Sequence, residues 1–73
     1  MKTSCSKYED LTKEVNAVLE KLTRLTQSQL EAFRAKDNTT FMRLDKELEN
    51  TVGQKERAVG ALREHVAEHS CQD

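Results

Sequence analysis

Two apolar stripes of nearly equal length meet at a single turn signal, segment 36–40, close to the midpoint of the 73-residue chain. The segment combines Asp, Asn and Thr, which favour turns and helix caps, and no proline interrupts either stripe. A short turn forces two such helices to run antiparallel. The sequence therefore predicts an all-α fold, a single helical-hairpin domain over residues 1–73, with helix 1 over about 6–36, the turn over about 37–39 and helix 2 over about 40–69.

Both stripes have the three-and-four spacing of a heptad repeat. The first consists of Tyr8, Leu11, Val15, Val18, Leu22, Leu25, Gln29 and then Ala32 or Phe33. The second consists of Phe41, Leu44, Leu48, Val52, Lys55, Val59, Leu62, Val66 and His69. In an antiparallel hairpin, residues whose numbers add up to about 77 face each other. This register predicts that Phe33 faces Leu44 and that Leu25 faces Val52, with Lys55 at the rim.

The ends of the helices carry recognisable signals. Ser6 and Glu9 have the spacing of a capping box, which predicts that helix 1 begins there. No glycine follows helix 1, so Asn38 is the expected left-handed residue at its end. Either Asp37 or Thr39 is expected to cap helix 2.

A hairpin of this size buries too little apolar surface to be stable alone. About a dozen large apolar side chains must offset the ordering of roughly 60 helical residues, at about 1.5 kcal/mol each. Leu19 and Leu30 also widen the first stripe to roughly 140°, more than one neighbouring helix can cover. We therefore expect a homodimer that forms a four-helix bundle, a coiled-coil-like assembly.

The expected function is a non-enzymatic protein–protein interaction module, such as a small adaptor, chaperone or assembly factor. Small residues recur every seven positions on the back of helix 2, and such a row lets a second backbone approach. A solvent-exposed face that tolerates glycine is an equally good interpretation, since each interior glycine costs about 1 kcal/mol. The predicted interaction face comprises Leu19, Leu30, Phe33, Phe41, Gly53, Gly60 and Ala67.

Four side chains at the open end of the hairpin suggest an alternative function, a metal or redox response. His65 and His69 are four residues apart on one helix face, as in the H-x-x-E-H pattern of zinc peptidases. That pattern is weak evidence for a metal site here, because the chain lacks a third histidine. Cys5 and Cys71 would lie at the same end, as an intramolecular disulfide, as free thiols or as a crosslink between chains.

Charge and composition exclude several classes. A net charge of −1 gives no strong field for nucleic acid or anionic membranes. No phosphate-binding glycine loop, catalytic triad or di-iron pattern is present, so neither a catalytic activity nor a cofactor is expected. No apolar run is long enough to span a membrane, and the first residues lack the apolar core of a signal peptide. We therefore expect a cytoplasmic protein.

The hairpin corner resembles that of small bacterial flagellar export chaperones. The resemblance covers Leu30–Asp37 and then Phe41, Leu44 and Leu48, and it implies a partner protein bound to an apolar helix face. The overall layout is also similar to Rop-like hairpins, dimers that bind RNA loops. That similarity implies RNA binding through helix 1, with Lys13, Lys21, Arg24 and Arg34 as contacts, although these residues form no concentrated basic face.

Overall fold

The structure, a computed structural model, describes residues 6–69. It contains two helices, α1 over Ser6–Arg34 and α2 over Asn38–His69, which fold back on each other into a rod of 56 × 18 × 12 Å. The predicted all-α helical hairpin is confirmed. The end of α1 and the start of α2 both lie two residues before the expected positions.

The turn begins with a Schellman motif, which satisfies the last carbonyls of α1. The amide of Asp37 donates to the carbonyl of Ala32 at 2.9 Å, and the amide of Lys36 donates to the carbonyl of Phe33 at 3.1 Å. Lys36 is the left-handed residue, with a φ of 60°. The prediction of Asn38 for this role was wrong, because the motif closes two residues earlier and leaves Asn38 as the first residue of α2.

Asp37 caps α2, which resolves the choice between Asp37 and Thr39. Its Oδ1 accepts a hydrogen bond from the amide of Thr40 at 3.1 Å, and its carbonyl accepts the first helical bond, from the amide of Phe41 at 3.0 Å. The same residue therefore completes the end of α1 and starts α2. Only Ala35, Lys36 and Asp37 separate the two helices.

Replacing Lys36 with glycine should stabilise the hairpin. A side chain at a left-handed position costs about 1 kcal/mol or more, and glycine adopts this conformation without that cost. We expect Lys36→Gly to raise the free energy of unfolding by about 0.5–1 kcal/mol, as measured by urea titration at a fixed protein concentration. The control is Arg34→Gly, two residues earlier in α1, which should be destabilising because it places glycine in a helix. A loss of stability in Lys36→Gly would contradict the Schellman assignment.

The cap also makes stability depend on pH. Hydrogen bonds from the hydroxyl and the amide of Thr40, assisted by the charge of Arg43, hold the pKa of Asp37 below its ordinary value of 3.8. The stabilisation from the charged cap is therefore complete above about pH 4 and is lost as the pH falls through the lower folded-state pKa. We expect Asp37→Asn to be less stable than the parent at pH 7, and the difference to shrink as the pH falls below 4. Urea titrations over this pH range test the expectation, and a difference that does not shrink in acid would argue against it.

The core is a single seam between the helices. Its buried apolar side chains are Leu11, Val18, Ala32 and Leu44, and the most buried side chain among residues 6–69 is that of Thr51, which is 1% exposed. The Thr51 hydroxyl donates to the carbonyl of Glu47 at 2.8 Å. A polar side chain can therefore occupy the centre of the seam because its hydrogen bond is made within its own helix.

The prediction of Val52 as a seam residue was wrong, because Val52 is 38% exposed and Thr51 is buried in its place. Of the two alternatives at the end of the first stripe, Ala32 is the buried residue; Phe33 is 66% exposed, so the predicted pairing of Phe33 with Leu44 was wrong. The steps from Leu44 to Leu48 to Val52 are both of four residues, which rotates the stripe by about 80° around the helix. The step of three from Leu48 to Thr51 returns to the side that faces α1.

Candidate interaction surface

Apolar side chains that the seam does not cover are the main feature of the surface. Among the described residues, five large hydrophobic side chains are exposed by more than a third. These are Leu19 at 45%, Leu30 at 45%, Phe33 at 66%, Met42 at 61% and Val52 at 38%.

Four of these five lie on the same long side of the hairpin. Leu19 and Val59 line one groove, together with the charged side chains of Lys55, Glu56 and Arg63. Leu30, Phe33 and Phe41 line another groove, nearer the turn. Positions seven or eleven residues apart fall on the same helix face, which places both grooves and Val52 on one side. We call this surface the apolar flank and define it by Leu19, Leu30, Phe33, Phe41, Val52 and Val59.

An aromatic pair forms the end of the apolar flank that is nearest the turn. The rings of Phe33 and Phe41 are 5.9 Å apart between centroids and tilted by 49°, a favourable arrangement for two aromatic rings. Phe33, the most exposed of the five large hydrophobic side chains, thus contacts Phe41 across the two helices. The pair presents an aromatic surface to any partner.

Three uncharged polar side chains among the residues of the apolar flank already have hydrogen-bond partners. The hydroxyl of Thr23 donates to the carbonyl of Leu19 at 3.0 Å, and that of Thr26 donates to the carbonyl of Leu22 at 2.8 Å. The amide nitrogen of Gln29 donates across the hairpin to the Phe41 carbonyl and to Asp45 Oδ1, both at 3.3 Å. Covering this side with another protein would therefore leave none of these donors unpaired.

The opposite long side of the hairpin differs in composition. One groove there is lined by Ala17, Val18 and Ala58 together with Glu14, Lys21 and Gln54. Another is lined by Leu11, Ala61 and His65 together with Lys7, Glu64 and Glu68. The exposed apolar residues that line these two grooves are alanines, whereas the apolar flank exposes leucine, phenylalanine and valine side chains.

Four of the seven predicted interaction residues belong to the apolar flank: Leu19, Leu30, Phe33 and Phe41. The other three, Gly53, Gly60 and Ala67, follow the back of α2, away from α1. Gly60 borders the groove of Leu19 and Val59, Gly53 is partly covered by Arg57, and Ala67 is exposed. The sequence interpretation missed Val52 and Val59, which it placed in the seam; the successive steps of four residues were the signal that could have identified Val52.

The glycine row can be tested by adding a methyl group. A Cβ at Gly60 meets no atom within 4 Å, and one at Gly53 lies 3.7 Å from Arg57 Nη1, an ordinary contact. We expect Gly60→Ala and Gly53→Ala each to increase the free energy of unfolding by about 0.5–1 kcal/mol, because alanine is the better helix former. Urea titration measures the gain. A loss of stability in Gly60→Ala that grows with protein concentration would instead show that another backbone packs there.

The cysteine pair and the histidine pair proposed as metal or redox groups lie partly outside the residues that the structure describes. Cys5 and Cys71 lie outside the described residues, as does the side chain of His69, whereas His65 lies half-buried in the groove next to Leu11. Within the described part of the chain, no group of three or more His, Cys, Asp or Glu side chains could hold a metal ion. Neither described helix has the length and apolar composition needed to cross a membrane.

Comparison of the chain with protein-family models, with curated proteins and with solved structures finds no match.

Proposed function

We propose that this hairpin is a non-enzymatic protein-interaction module and that the apolar flank is its binding surface. The observation that supports the proposal is the concentration of exposed Leu19, Leu30, Phe33 and Val52 on one long side. Large apolar side chains that form a continuous surface mark sites of protein association. The cytoplasm is the proposed location, as expected from the sequence.

The structure supports this function in two further ways. The threonine and glutamine side chains among the apolar residues are already hydrogen-bonded, which lowers the cost of removing water from this side. The seam between the two helices leaves the apolar side chains of the flank in water. A small domain buries little surface by itself, so covering these side chains with a bound protein adds appreciably to its stability. A bound protein would therefore stabilise the hairpin as well as cover its exposed side.

A matched pair of substitutions tests the proposal. Leu30→Glu places a charge on the apolar flank, and Ala61→Glu places the same charge on the opposite side, where the alanine is also exposed. We expect the parent and Ala61→Glu to occur in complexes larger than the 8.4 kDa chain, and Leu30→Glu to lose them. Light scattering on purified protein and native electrophoresis of cell extracts measure the size, and circular dichroism checks that each variant is helical.

The proposal fails if the parent migrates as a single chain both when purified and in extracts of cells that produce it. It also fails if Leu30→Glu assembles as well as the parent does. Loss of assembly in Ala61→Glu but not in Leu30→Glu would move the binding surface to the opposite side.

The alternative functions receive no comparable support from the described residues. A metal or redox role would depend on Cys5, Cys71 and the side chain of His69, which are outside the description. An RNA-binding role would use Lys13, Lys21, Arg24 and Arg34, and helical geometry places Glu20 and Glu31 on the same side of α1 as Lys13 and Arg24. Acidic residues among basic ones weaken attraction to phosphate.

A further inference from the structure

The spacing and the charges of the apolar flank indicate what kind of molecule covers it. We infer that its occupant is one amphipathic helix of a partner protein, which lies along the groove between α1 and α2 and completes a three-helix bundle. The half of this helix near the turn carries basic residues, and the half near the open end carries acidic ones. The inference rests on the proposed function, because it names the partner of the same surface.

The apolar flank is built from one regular row of side chains on each helix. Successive residues of a row are seven positions apart: the rows are Thr12, Leu19, Thr26 and Phe33 on α1, and Asp45, Val52, Val59 and Val66 on α2. Leu19 and Val59 line the same groove. Nearer the turn, Gln29 bonds to Asp45 and lines a groove with Phe33. The two rows therefore border one strip of surface, and both repeat at an interval of about 10.5 Å.

A helix is the occupant that matches this interval. In a helix with a heptad repeat, equivalent side chains also recur every seven residues, and they pack between the side chains of neighbouring helices. An extended peptide repeats its side chains about every 7 Å and pairs its backbone with a sheet edge, which residues 6–69 do not provide. Leu19 and Phe33 are fourteen residues apart, so the bound helix must extend over at least about 21 Å.

α1 contributes no charged side chain to the apolar flank between residues 12 and 33. The row through Leu19 and Phe33 is uncharged, and so is the neighbouring row on that side, which consists of Asn16, Thr23 and Leu30. The bound helix therefore meets α1 through apolar or uncharged polar side chains.

The charges of the apolar flank lie on α2, and their sign changes along the helix. Lys55, Glu56 and Arg63 line the groove nearer the open end, two basic groups with one acidic group. Glu49 lies seven residues before Glu56 and therefore on the same face, and Asp45 lies one turn before Glu49. The half near the turn thus has two negative charges, whereas the other half has a net charge of +1.

This change of sign specifies the charged edge of the bound helix. Next to Asp45 and Glu49 the helix needs lysine or arginine, and next to Lys55 and Arg63 it needs aspartate or glutamate. Such complementary charges give an interface specificity, while the apolar side chains between them supply the burial that drives association. The partner is therefore a helix with a heptad stripe of apolar residues and with its basic and acidic residues in separate halves.

Two designed peptides probe this surface on a hairpin that carries Cys5→Ser and Cys71→Ser. Each peptide has about 21 residues, which form three heptads, with alanine at each a position and leucine at each d position. One has glutamate at the e and g positions of its first heptad and lysine at those of its last heptad, and the other has these charges exchanged. Each carries a nitroxide label at its lysine end.

Both peptides should bind with the lysine end near the turn, although they then run in opposite directions. We expect binding at peptide concentrations below about 500 µM, followed by NMR. The label should broaden the amide signals of Phe33 and Phe41 more than those of Leu19 and Val59. Leu30→Glu should abolish the binding of both peptides.

A matched pair of charge reversals tests the role of the acidic half. Glu49→Lys should weaken the binding of both peptides about two- to fivefold. Glu64→Lys, which makes the same change in a groove of the opposite side, should leave it unchanged. Equal effects of the two variants would contradict the charge assignment.

The inference is also overturned if neither peptide binds, if Leu30→Glu binds as well as the parent, or if the lysine end of either peptide lies at the open end. A hairpin that sediments as two chains at about 100 µM and excludes both peptides would have a second copy in place of the partner helix. That result would reject this inference but leave the proposed function standing, since the apolar flank would still be the binding surface.

Discussion

Truncation of Leu44 to alanine should unfold much of the hairpin population under conditions in which the parent is folded. Leu44 is 7% exposed and is the only buried apolar side chain that α2 contributes among the described residues. Removing a buried leucine side chain costs about 2–5 kcal/mol. A domain of this length has a total stability of roughly 4–11 kcal/mol, so this one change removes a large share. Thermal and urea unfolding, followed by circular dichroism at a fixed chain concentration, measure the loss.

Met42→Ala is the matched control for this experiment. Met42 lies two residues earlier in the same helix, is of similar size and is 61% exposed. We expect its truncation to change the free energy of unfolding by no more than about 0.5 kcal/mol. Equal losses in the two variants would mean that the seam does not pass through Leu44.

The second large effect is expected at Thr51, where a charge should be incompatible with the fold. Aspartate is close to threonine in size and too short to reach water from a position that is 1% exposed. An unpaired buried charge costs about 3–5 kcal/mol, so Thr51→Asp should be largely unfolded at pH 7. Burial raises the pKa of a carboxyl group. The folded state of this variant would thus bind a proton more tightly than the unfolded state, and its deficit relative to the parent should shrink as the pH falls from 7 towards 4.

Thr51→Val separates the effect of charge from the effect of shape. Valine keeps the branched shape and removes the hydroxyl that bonds to the Glu47 carbonyl, an acceptor that the helix itself already uses. We expect its stability to stay within about 1 kcal/mol of that of the parent. A severe loss in Thr51→Val would show that the hydroxyl itself holds the seam together, and a fully folded Thr51→Asp at pH 7 would contradict the burial of this site.

The fold was predictable because its evidence is repeated along the whole chain. Each turn of both helices contributes an apolar residue, so the hairpin does not depend on any one position. The turn was less predictable in detail. A lysine is sterically disfavoured in the left-handed conformation, so the sequence did not point to Lys36. Lys36 adopts this conformation because the Schellman motif that ends α1 and the Asp37 cap that begins α2 are both built within the three residues between the helices.

The candidate surface was predictable only in part. Leu19, Leu30, Phe33 and Phe41 could be named from the sequence, since the first stripe is wider than one neighbour needs. Val52 could not be separated from the seam by hydrophobicity, because Thr51 beside it takes the buried position through a hydrogen bond within its helix. A polar residue whose hydrogen bond is made within its own helix can be buried, but its polarity alone predicts a surface position.

The turn makes the length of the chain between the helices unusually critical. Asp37 both ends α1 and begins α2. The connection therefore contains no unconstrained loop residues that could accommodate an insertion beside it. If the insertion lengthened α2 instead, every following side chain would rotate by about 100°, and Thr51 would leave the seam. Related sequences that retain this architecture should therefore tolerate deletions and insertions at the open end of the rod far better than near Asp37.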